Sequence, residues 1–354
     1  MHLVLHLGPH KTGSTYVQMV LAENAERLGA AGWIYPLAGR SETEMGHHTL
    51  ALGWDAFQGA GLAALRAETA GAGQVILSAE ALCNWEAARF QALAEALGAA
   101  RVTLVYYLRD PNAWAFSRWQ HQRRYGKAED LPDWWARMFR NPQARRQITP
   151  MLHLESYAAL GARFEPYLIG YDHLRGTGQD IMTPLWQGLL GQSAAFATSE
   201  AAPNSAPTPE VTAAMAAIYR IVQESAPDAS AHQIYRALLG RVKALAERRS
   251  GRHPLDPLHE VLAPHLTPAR RQFQASRDTP FYRELRQGLI ARFGENIHPQ
   301  LTPATLFPQS DVEFTYLAQE DMNASPEVAR LVARLAAEIG QDLAAGQRAK
   351  GVRV

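Results

Sequence analysis

The first sixteen residues constrain the fold more than any other part of the chain. The run from His2 to Leu7 alternates in the manner of a strand and leads directly into a Gly/Pro turn. A lysine, a glycine and three hydroxyl residues follow over residues 11–15, and a helical pattern begins at Ser14. A strand, loop and helix of this kind present backbone N–H groups and the positive end of the helix dipole to a phosphate. The segment therefore predicts a site for a phosphorylated or sulfated nucleotide, with Lys11 as a mobile positive charge.

The composition narrows the class of protein. Hydrophobic residues make up 47% of the 354 residues and charged residues 19%, which is typical of a globular chain. The formal net charge of +1 gives no general case for a nucleic-acid or anionic-membrane partner. Cys83 is the single cysteine, so an intrachain disulfide is excluded and a cysteine-based zinc site is disfavoured. Because the sequence contains no H-E-x-x-H or comparable ligand set, we expect no metal.

The location can also be predicted. The beginning of the chain enters a strand within three residues and lacks the layout of a signal peptide. No apolar run is long enough to span a bilayer. We therefore expect a cytoplasmic protein, and this location fits a charged nucleotide donor.

Strand and helix patterns alternate over the first half of the chain, which indicates an α/β class with a mainly parallel central sheet. The predicted strands cover 2–7, 74–77, 101–108 and 164–171, the predicted helices cover 14–27, 86–97, 113–125 and 181–190, and 35–61 reads as irregular. A segment rich in Ala, Ser and Pro at 197–209 reads as a loop or linker. We expect an α/β core over 1–196 and a mostly helical extension over 197–354, packed on the core as part of one domain.

Three helices are predicted in that extension. One begins at 209, and another lies within 231–249. The last has the clearest pattern, because Ser325 is a good N-cap and Pro326 suits the first helical position. An apolar stripe follows it along one helix face. We expect this region to complete the acceptor pocket or to form an interface between copies of the chain.

The loop differs from the common nucleoside-triphosphate loop, G-x-x-x-x-G-K-[ST]. Gly8 and Gly13 have the required separation, but Ser14 stands where the lysine belongs and Lys11 lies inside the loop. The strand at 74–77 is not followed by an obvious magnesium-binding aspartate. An ATPase or kinase is therefore disfavoured. A P-loop small-molecule kinase and a non-catalytic nucleotide-binding protein of the same fold remain as alternatives.

The string G-P-H-K-T-G-S-T-Y over 8–16 resembles the 5′-phosphosulfate loop of the sulfotransferase superfamily. Those P-loop-like three-layer enzymes move a sulfuryl group from 3′-phosphoadenosine 5′-phosphosulfate (PAPS) to a hydroxyl or an amine. The resemblance implies that Lys11 contacts the bridging and sulfuryl oxygens and stabilises charge on the leaving 5′-phosphate. It further implies that the phosphate is cradled by Thr12, Gly13, Ser14 and Thr15. Tyr16 stands where many members carry an aromatic ring that packs on the adenine, and His10 either helps to bind the sulfate or shapes the loop.

A second element resembles the same family. The strand at 102–108 ends in Arg109, and Ser117 follows eight residues later, as in the family's 3′-phosphate element. An arginine offers a bidentate fork to a phosphate, and a serine hydroxyl adds a hydrogen bond. The alternative for Arg109 is a structural ion pair with Asp110 or Glu80. Two motifs that each follow a strand and precede a helix make the donor assignment more specific than the loop alone.

Sulfuryl transfer to a hydroxyl benefits from a base, and Glu80 is the best candidate. It follows the strand at 74–77, at the edge where open α/β sheets bind ligands. The string I-L-S-A-E is similar to the S-x-E element of carbohydrate sulfotransferases, whose glutamate serves as the base. As alternatives, Glu80 caps the following helix or pairs with Arg109. His47 and His48 either line the acceptor pocket, with one of them as the base, or are solvated loop residues, and solvation is favoured. His6 reads as a packed core residue.

The chain also departs from the family. Cytosolic members carry a downstream R-K-G-x-x-G-D-W-K segment that is missing here, with Arg248-Arg249 or Arg270-Arg271 as candidate substitutes. This absence and Glu80 place the chain nearer bacterial and carbohydrate-type members, and the resemblance covers roughly the first 190 residues. The expected acceptor is a carbohydrate or a small metabolite. Buried packing or a lid is favoured over sugar stacking for four tryptophans, Trp114, Trp119, Trp134 and Trp135.

Overall fold

The computed structural model describes residues 1–41, 45–127, 129–141, 148–198, 207–245, 255–323 and 325–349. The chain forms two compact units, and each consists of three segments. The first unit comprises Met1–Trp114, Arg145–Ala201 and Arg277–Ser310. The second comprises Ala115–Ala144, Ala202–Ser276 and Asp311–Val354. The units alternate along the chain, so a single cut after residue 196 does not separate them.

The first unit is built on a six-stranded sheet with the order β2-β3-β1-β4-β5-β7, in which every pair of neighbours is parallel. The strands are β1 His2–His6, β2 Trp33–Ile34, β3 Gln74–Ser78, β4 Arg101–Leu108, β5 Phe164–Gly170 and β7 Ile297–His298. The expected α/β class with a mainly parallel sheet is confirmed. Strand β7 adds a piece of the expected helical extension to this sheet.

Side chains on successive residues of the strands enter two different apolar clusters. Leu3 and Leu5 of β1 pack in one cluster, whereas Val4 packs in the other. Val105 and Tyr107 of β4 join Val4, while alternate residues of the same strand join the first cluster. Both faces of the sheet are therefore buried, as is typical of parallel sheets covered by helices. The unit is a three-layer α/β structure.

The helices that cover this sheet are mostly short. They are α1 Ser14–Glu23, α2 Ala25–Ala30, α3 His48–Leu52, α4 Trp54–Phe57, α5 Ala60–Glu68 and α6 Ala87–Ala96, then α9 Pro150–Ala158, α10 Tyr171–Gly176 and α14 Pro280–Phe293. Helix α7, Pro111–Arg123, begins in the first unit and continues into the second.

Three predicted elements differ from the structure. The helix expected at 14–27 breaks at Asn24, whose Nδ2 donates to Val20 O at 2.8 Å and whose Oδ1 accepts from Ala197 N at 2.9 Å. The stretch expected to be irregular at 35–61 contains α3 and α4, which are too short to show a helical period. The helix expected at 181–190 is a shorter π-helical segment at Pro184–Leu189.

The second unit is mainly helical. Its helices are α8 Leu131–Arg140, α11 Pro209–Ser225, α12 Ala231–Leu245, α13 Asp256–Leu266 and α15 Pro326–Ala349, beside an antiparallel pair of strands, β6 Arg271–Ala275 and β8 Val312–Tyr316. The last helix is confirmed: Ser325 Oγ accepts from Val328 N at 3.4 Å, and the apolar stripe is buried. Over the described ranges, no helix combines the length and the apolar character needed to cross a membrane.

Candidate functional site

Three predicted segments meet at the carboxyl edge of the sheet. Strand β1 pairs in parallel with β3 and with β4, and His6 lies opposite Ser78 on one side and Val105 on the other. Parallel strands end at the same edge, so the loop after β1, Glu80 after β3 and Arg109 after β4 lie at one edge. This is the edge at which open α/β sheets bind ligands.

The loop backbone is tightly constrained. Gly8 and Gly13 have φ values of +86° and +80°, and Lys11 has a φ of 68°. A Cβ on Gly8 would lie 3.1 Å from Glu80 Cα, and one on Gly13 would lie 2.3 Å from Ile181 Cδ1. The left-handed backbone therefore favours glycine at both positions, and at Gly8 the close approach to the Glu80 backbone adds to this preference. Lys11 adopts this conformation at a cost of about 1 kcal/mol, a strain of the kind that is concentrated at functional sites.

The hydroxyl residues of the loop divide into two groups. Thr12 is fully buried and its Oγ1 donates to Pro9 O at 2.6 Å, while Ser14 Oγ donates to Glu80 Oε1 at 2.6 Å. Thr15 is exposed. Two of the three hydroxyls therefore hold the loop in shape. The first turn of α1, whose N–H groups have no partners within the helix, is the part of the segment suited to an anion.

Glu80 is held by several partners at this edge. Besides Ser14, its carboxylate accepts from Gln18 Nε2 at 3.1 Å, and His48 Nε2 lies 3.5 Å from Oε2. Burial acts to raise the pKa of Glu80, but the hydrogen bonds from Ser14 and Gln18 and the nearby His48 outweigh it, so the pKa is lowered overall. Glu80 is therefore ionised at neutral pH.

Arg109 is anchored to the loop rather than to a carboxylate. One Nη donates to Lys11 O, and the guanidinium carbon lies 5.2 Å from the centre of the Tyr171 ring. Among the described residues, Arg109 forms no ion pair with Asp110 or Glu80, so the alternative of a structural ion pair with either residue is wrong. Its Nε is buried and has no acceptor in the described part of the chain. A buried guanidinium N–H without an acceptor fits an anionic ligand such as a phosphate.

Ser117, the second member of the predicted 3′-phosphate element, lies two turns into α7 and is partly exposed. It belongs to the second unit, whereas Arg109 belongs to the first. Within the first unit, the structure therefore brings together Arg109, the loop and Glu80. The pairing of Ser117 with Arg109 stays a prediction.

The histidines have different roles from one another. His6 is fully buried with Nδ1 2.6 Å from Ser78 Oγ, and burial lowers its pKa to about 4, which confirms a core residue. His47 is also fully buried, so the expectation of a solvated loop residue is wrong for it. Its Nδ1 accepts from Ser78 N and its Nε2 lies 3.1 Å from Pro36 O. Burial lowers the pKa of His47 to about 3, so it is neutral. His48 is the histidine that reaches Glu80.

The remaining predicted donor residues lie on the rim of the loop. His10 is exposed, and its carbonyl accepts from Trp114 Nε1 at 2.8 Å. The Tyr16 hydroxyl donates to Asp180 Oδ2 at 2.6 Å. Burial and this hydrogen bond raise the pKa of Tyr16, so its hydroxyl stays protonated. The Tyr16 ring is therefore held by Asp180, at a position still partly exposed.

The candidate substitutes for the missing downstream segment lie elsewhere. In the second unit, Arg270 pairs with Glu210 at 2.6 Å, and Arg271 pairs with Glu320 and Asp321. Arg248 and Arg249 lie outside the described residues. The expected burial is confirmed for Trp114, Trp119 and Trp134, whereas Trp135 is partly exposed.

Sequence reasoning missed two parts of this edge. Gln18 carries no motif that would mark it as a partner of Glu80. Asp110 is fully buried and N-caps α7, since its Oδ1 accepts from Ala113 N at 2.7 Å. An aspartate before a proline and a helical pattern indicates such a cap. No local signal could have shown that Arg277 pairs with Asp110 at 2.8 Å, because the two residues are far apart in sequence.

Comparisons with protein-family models, with curated proteins and with solved structures return no match. Within the described residues, no three histidine, cysteine, aspartate or glutamate side chains are grouped as a metal site requires. The carboxyl edge of the sheet is the part of the first unit whose geometry bears on function.

Proposed function

We propose that the protein is a PAPS-dependent sulfotransferase. The observation that carries the proposal is the meeting of three segments at one sheet edge: the loop with Lys11, the ionised Glu80, and Arg109 with its buried Nε. These residues supply the two anion-binding elements and the proton acceptor that sulfuryl transfer needs. The sequence resemblance assigns the same residues to the same chemistry.

In this proposal the donor is bound by its two phosphate-bearing ends. The N–H groups at the start of α1 and the Lys11 ammonium bind the 5′-phosphosulfate, and Thr15, which is exposed, adds a hydroxyl. Arg109 binds the 3′-phosphate, and the contribution of Ser117 stays a prediction from the sequence resemblance. The Tyr16 ring packs on the adenine. Thr12 and Ser14 act indirectly, because their hydroxyls hold the loop and Glu80.

The reaction is a single in-line displacement at sulfur. The acceptor oxygen forms a bond to the sulfur atom while the bond from sulfur to the bridging phosphate oxygen breaks. The acceptor proton moves to the Glu80 carboxylate, and the electron pair of the broken bond stays on the leaving 5′-phosphate. Lys11 and the loop N–H groups stabilise the charge that develops there. The lowered pKa of Glu80 makes its carboxylate a weak base, so the proton moves to it late, once bonding to sulfur has made the acceptor O–H or N–H strongly acidic.

The acceptor class is a hydroxyl or an amine of a carbohydrate or a small metabolite. We place the protein in the cytoplasm, because the nucleotide donor is charged and is not found free outside cells in quantity.

The donor assignment is tested by thermal unfolding with nucleotides. We expect 3′,5′-adenosine bisphosphate to raise the melting temperature far more than ADP or ATP with magnesium, because only the bisphosphate satisfies both anion-binding elements. Equal shifts with all three nucleotides would contradict the assignment, and a larger shift with ATP and magnesium would favour a kinase. Incubation with labelled PAPS and a panel of hydroxyl and amine acceptors then tests transfer. Tight bisphosphate binding without transfer to any acceptor would favour a non-catalytic nucleotide-binding protein.

A further inference from the structure

A buried group of polar side chains adjoins Arg109 and has no part in the donor contacts assigned above. Asp110 follows Arg109 in the chain and is fully buried. Its Oδ2 accepts from Arg277 Nε at 2.8 Å and from the Tyr282 hydroxyl at 3.1 Å. A buried carboxylate is stable only when it is paired and hydrogen-bonded, and these donors meet that requirement. The group is built around Asp110.

Arg277 and Tyr282 tie the end of β4 to a distant segment of the same unit. Arg277 is nearly fully buried and its Nη1 also donates to Ser310 O at 2.6 Å. The Tyr282 hydroxyl, which donates to Asp110, also accepts from Asn112 N at 2.9 Å. One phenol group therefore joins the Asp110 side chain to the backbone two residues further on. These contacts fix the turn between β4 and α7.

The start of α10 supports the same strand end from another direction. The Tyr171 ring lies against the Arg109 guanidinium, and Asp172 Oδ2 accepts from Asp110 N. Two consecutive residues of one helix therefore contact two consecutive residues of the strand end. The backbone N–H of Asp110 is held at the same time as the side chain of Arg109.

This support matters because an arginine side chain has several rotatable bonds. A guanidinium recognises a phosphate well only when it is held close to the productive geometry by the residues around it. We propose that Asp110, held by Arg277 and Tyr282, is a positioning residue that fixes Arg109 for the 3′-phosphate of the donor. The inference rests on the proposed function, in which Arg109 contacts that phosphate.

The test compares two nucleotides that differ only in the 3′-phosphate, 3′,5′-adenosine bisphosphate and adenosine 5′-monophosphate. The ratio of their dissociation constants, measured by calorimetry on the full chain, reports recognition of that phosphate. We expect Arg109→Ala to remove most of the wild-type preference for the bisphosphate. Tyr282→Phe removes both hydrogen bonds of that hydroxyl, and we expect it to lower the ratio at least about fivefold through weaker bisphosphate binding alone, since one buried hydrogen bond already corresponds to about that factor. Arg277→Lys keeps the positive charge but loses the planar guanidinium that donates to both Asp110 and Ser310, and we expect it to lower the ratio in the same way.

Tyr157→Phe is the matched control. Tyr157 is a buried tyrosine of the same unit whose hydroxyl donates to Cys83 O at 3.0 Å. The substitution therefore also removes a buried tyrosine hydroxyl and its hydrogen bond. The Tyr157→Phe variant keeps the wild-type ratio. Circular dichroism verifies that every variant is folded. If either Tyr282→Phe or Arg277→Lys unfolds, the other variant still measures the ratio of dissociation constants.

The outcomes separate the two proposals. If the wild-type chain binds both nucleotides equally, the donor assignment fails and the inference fails with it. If the wild-type chain prefers the bisphosphate and Arg109→Ala removes this preference, the donor assignment stands. An unchanged ratio in Tyr282→Phe and Arg277→Lys then overturns the positioning role. Equal weakening of both nucleotides in these variants also overturns it, because it indicates general support of the fold.

Discussion

The two edges of the central sheet are both polar, but they differ in how exposed their charged groups are. At the amino edge, a cavity of about 450 Å³ is lined by polar side chains. Arg101 pairs with Glu165 at 2.6 Å, and His2 Nε2 lies 2.7 Å from Thr103 Oγ1. At the carboxyl edge, Glu80 is a buried carboxylate that accepts from Ser14 Oγ at 2.6 Å and from Gln18 Nε2 at 3.1 Å.

Polar residues and a cavity are therefore not sufficient to identify a binding site. The amino edge combines an open cavity with paired, half-exposed charges, which water also satisfies. The carboxyl edge combines a left-handed lysine, a buried ionised carboxylate and a guanidinium anchored on the loop backbone. The left-handed lysine lowers the stability of the folded state, and strained residues and buried ionised groups of this kind are concentrated where a ligand or a reaction requires them. This contrast leads us to place the function at the carboxyl edge.

The largest expected effect is on catalysis. Lys11→Ala and Glu80→Gln at the carboxyl edge each reduce the rate of sulfate transfer by at least about a hundredfold, because they remove charge stabilisation and the proton acceptor. Arg101→Gln at the amino edge leaves the rate within twofold. The rate is measured with labelled PAPS and an acceptor found in the panel.

Two exposed residues provide matched controls for these variants. Lys127→Ala and Glu86→Gln make the same chemical changes at exposed positions, and both keep the wild-type rate. Full activity of Glu80→Gln would show that the base lies elsewhere, and His48 would be tested next. A large loss in Arg101→Gln would remove the distinction between the two edges.

The second effect is on the pH dependence of stability. The folded state holds His47 neutral with a pKa of about 3, below the unfolded value of 6.5, so the unfolded state binds more protons between these pH values. The free energy of unfolding therefore falls as pH falls below 6.5, by about 1.4 kcal/mol per pH unit for this histidine. His47→Gln lowers stability at pH 7.5 but reduces the loss between pH 6.5 and pH 5.5 by about 1 kcal/mol. Urea denaturation of wild type and variant at pH 7.5, pH 6.5 and pH 5.5 measures these free energies of unfolding.

Other buried groups at the carboxyl edge modify this pH profile. His6 acts in the same direction as His47, because burial lowers its pKa to about 4. Asp172 acts in the opposite direction, because burial and Asp110 raise its pKa to about 6, so its folded state retains a proton that the unfolded state releases. The free energies of unfolding of wild type and His47→Gln are therefore compared at the same pH. An identical pH dependence of the free energy of unfolding in wild type and His47→Gln would contradict a neutral buried His47.

The smallest effect is expected at the amino edge. The side chains of Arg101 and Glu165 are 55% and 47% exposed, so their ion pair is screened by water. Arg101→Gln lowers the free energy of unfolding by about 0.5 kcal/mol, and 1 M salt removes the difference between variant and wild type. Urea denaturation with and without salt measures this. A loss several times larger that persists in salt would show that the amino edge is as strongly organised as the carboxyl edge.

Local sequence patterns predicted much of the sheet. Strand β4 was predicted at its observed bounds, because it is rich in β-branched and aromatic residues. The order of strands and helices predicted a mainly parallel sheet with Glu80 at its ligand-binding edge. The loop and Arg109 end at the same edge because parallel strands share their direction. These predictions depend only on local residues and on topology.

The predictions that failed depend on contacts between distant residues. The short helices at 48–52 and 54–57 are stabilised by buried residues such as Leu50 and Trp54, and five or four residues show no period. His47 is buried because its ring bonds to Pro36 and Ser78, a pairing that no spacing in the sequence indicates. The partner of Asp110 comes from residue 277 for the same reason.

The alternation of the two units along the chain limits how the protein can be divided for experiments. A fragment ending at residue 196 would contain every residue of the proposed donor loop and both Glu80 and Arg109. It would nevertheless lack strand β7 and Arg277, so Asp110 would lose its cationic partner and the sheet one of its edge strands. Activity screens, fusions and libraries for this protein should therefore start from the full-length gene.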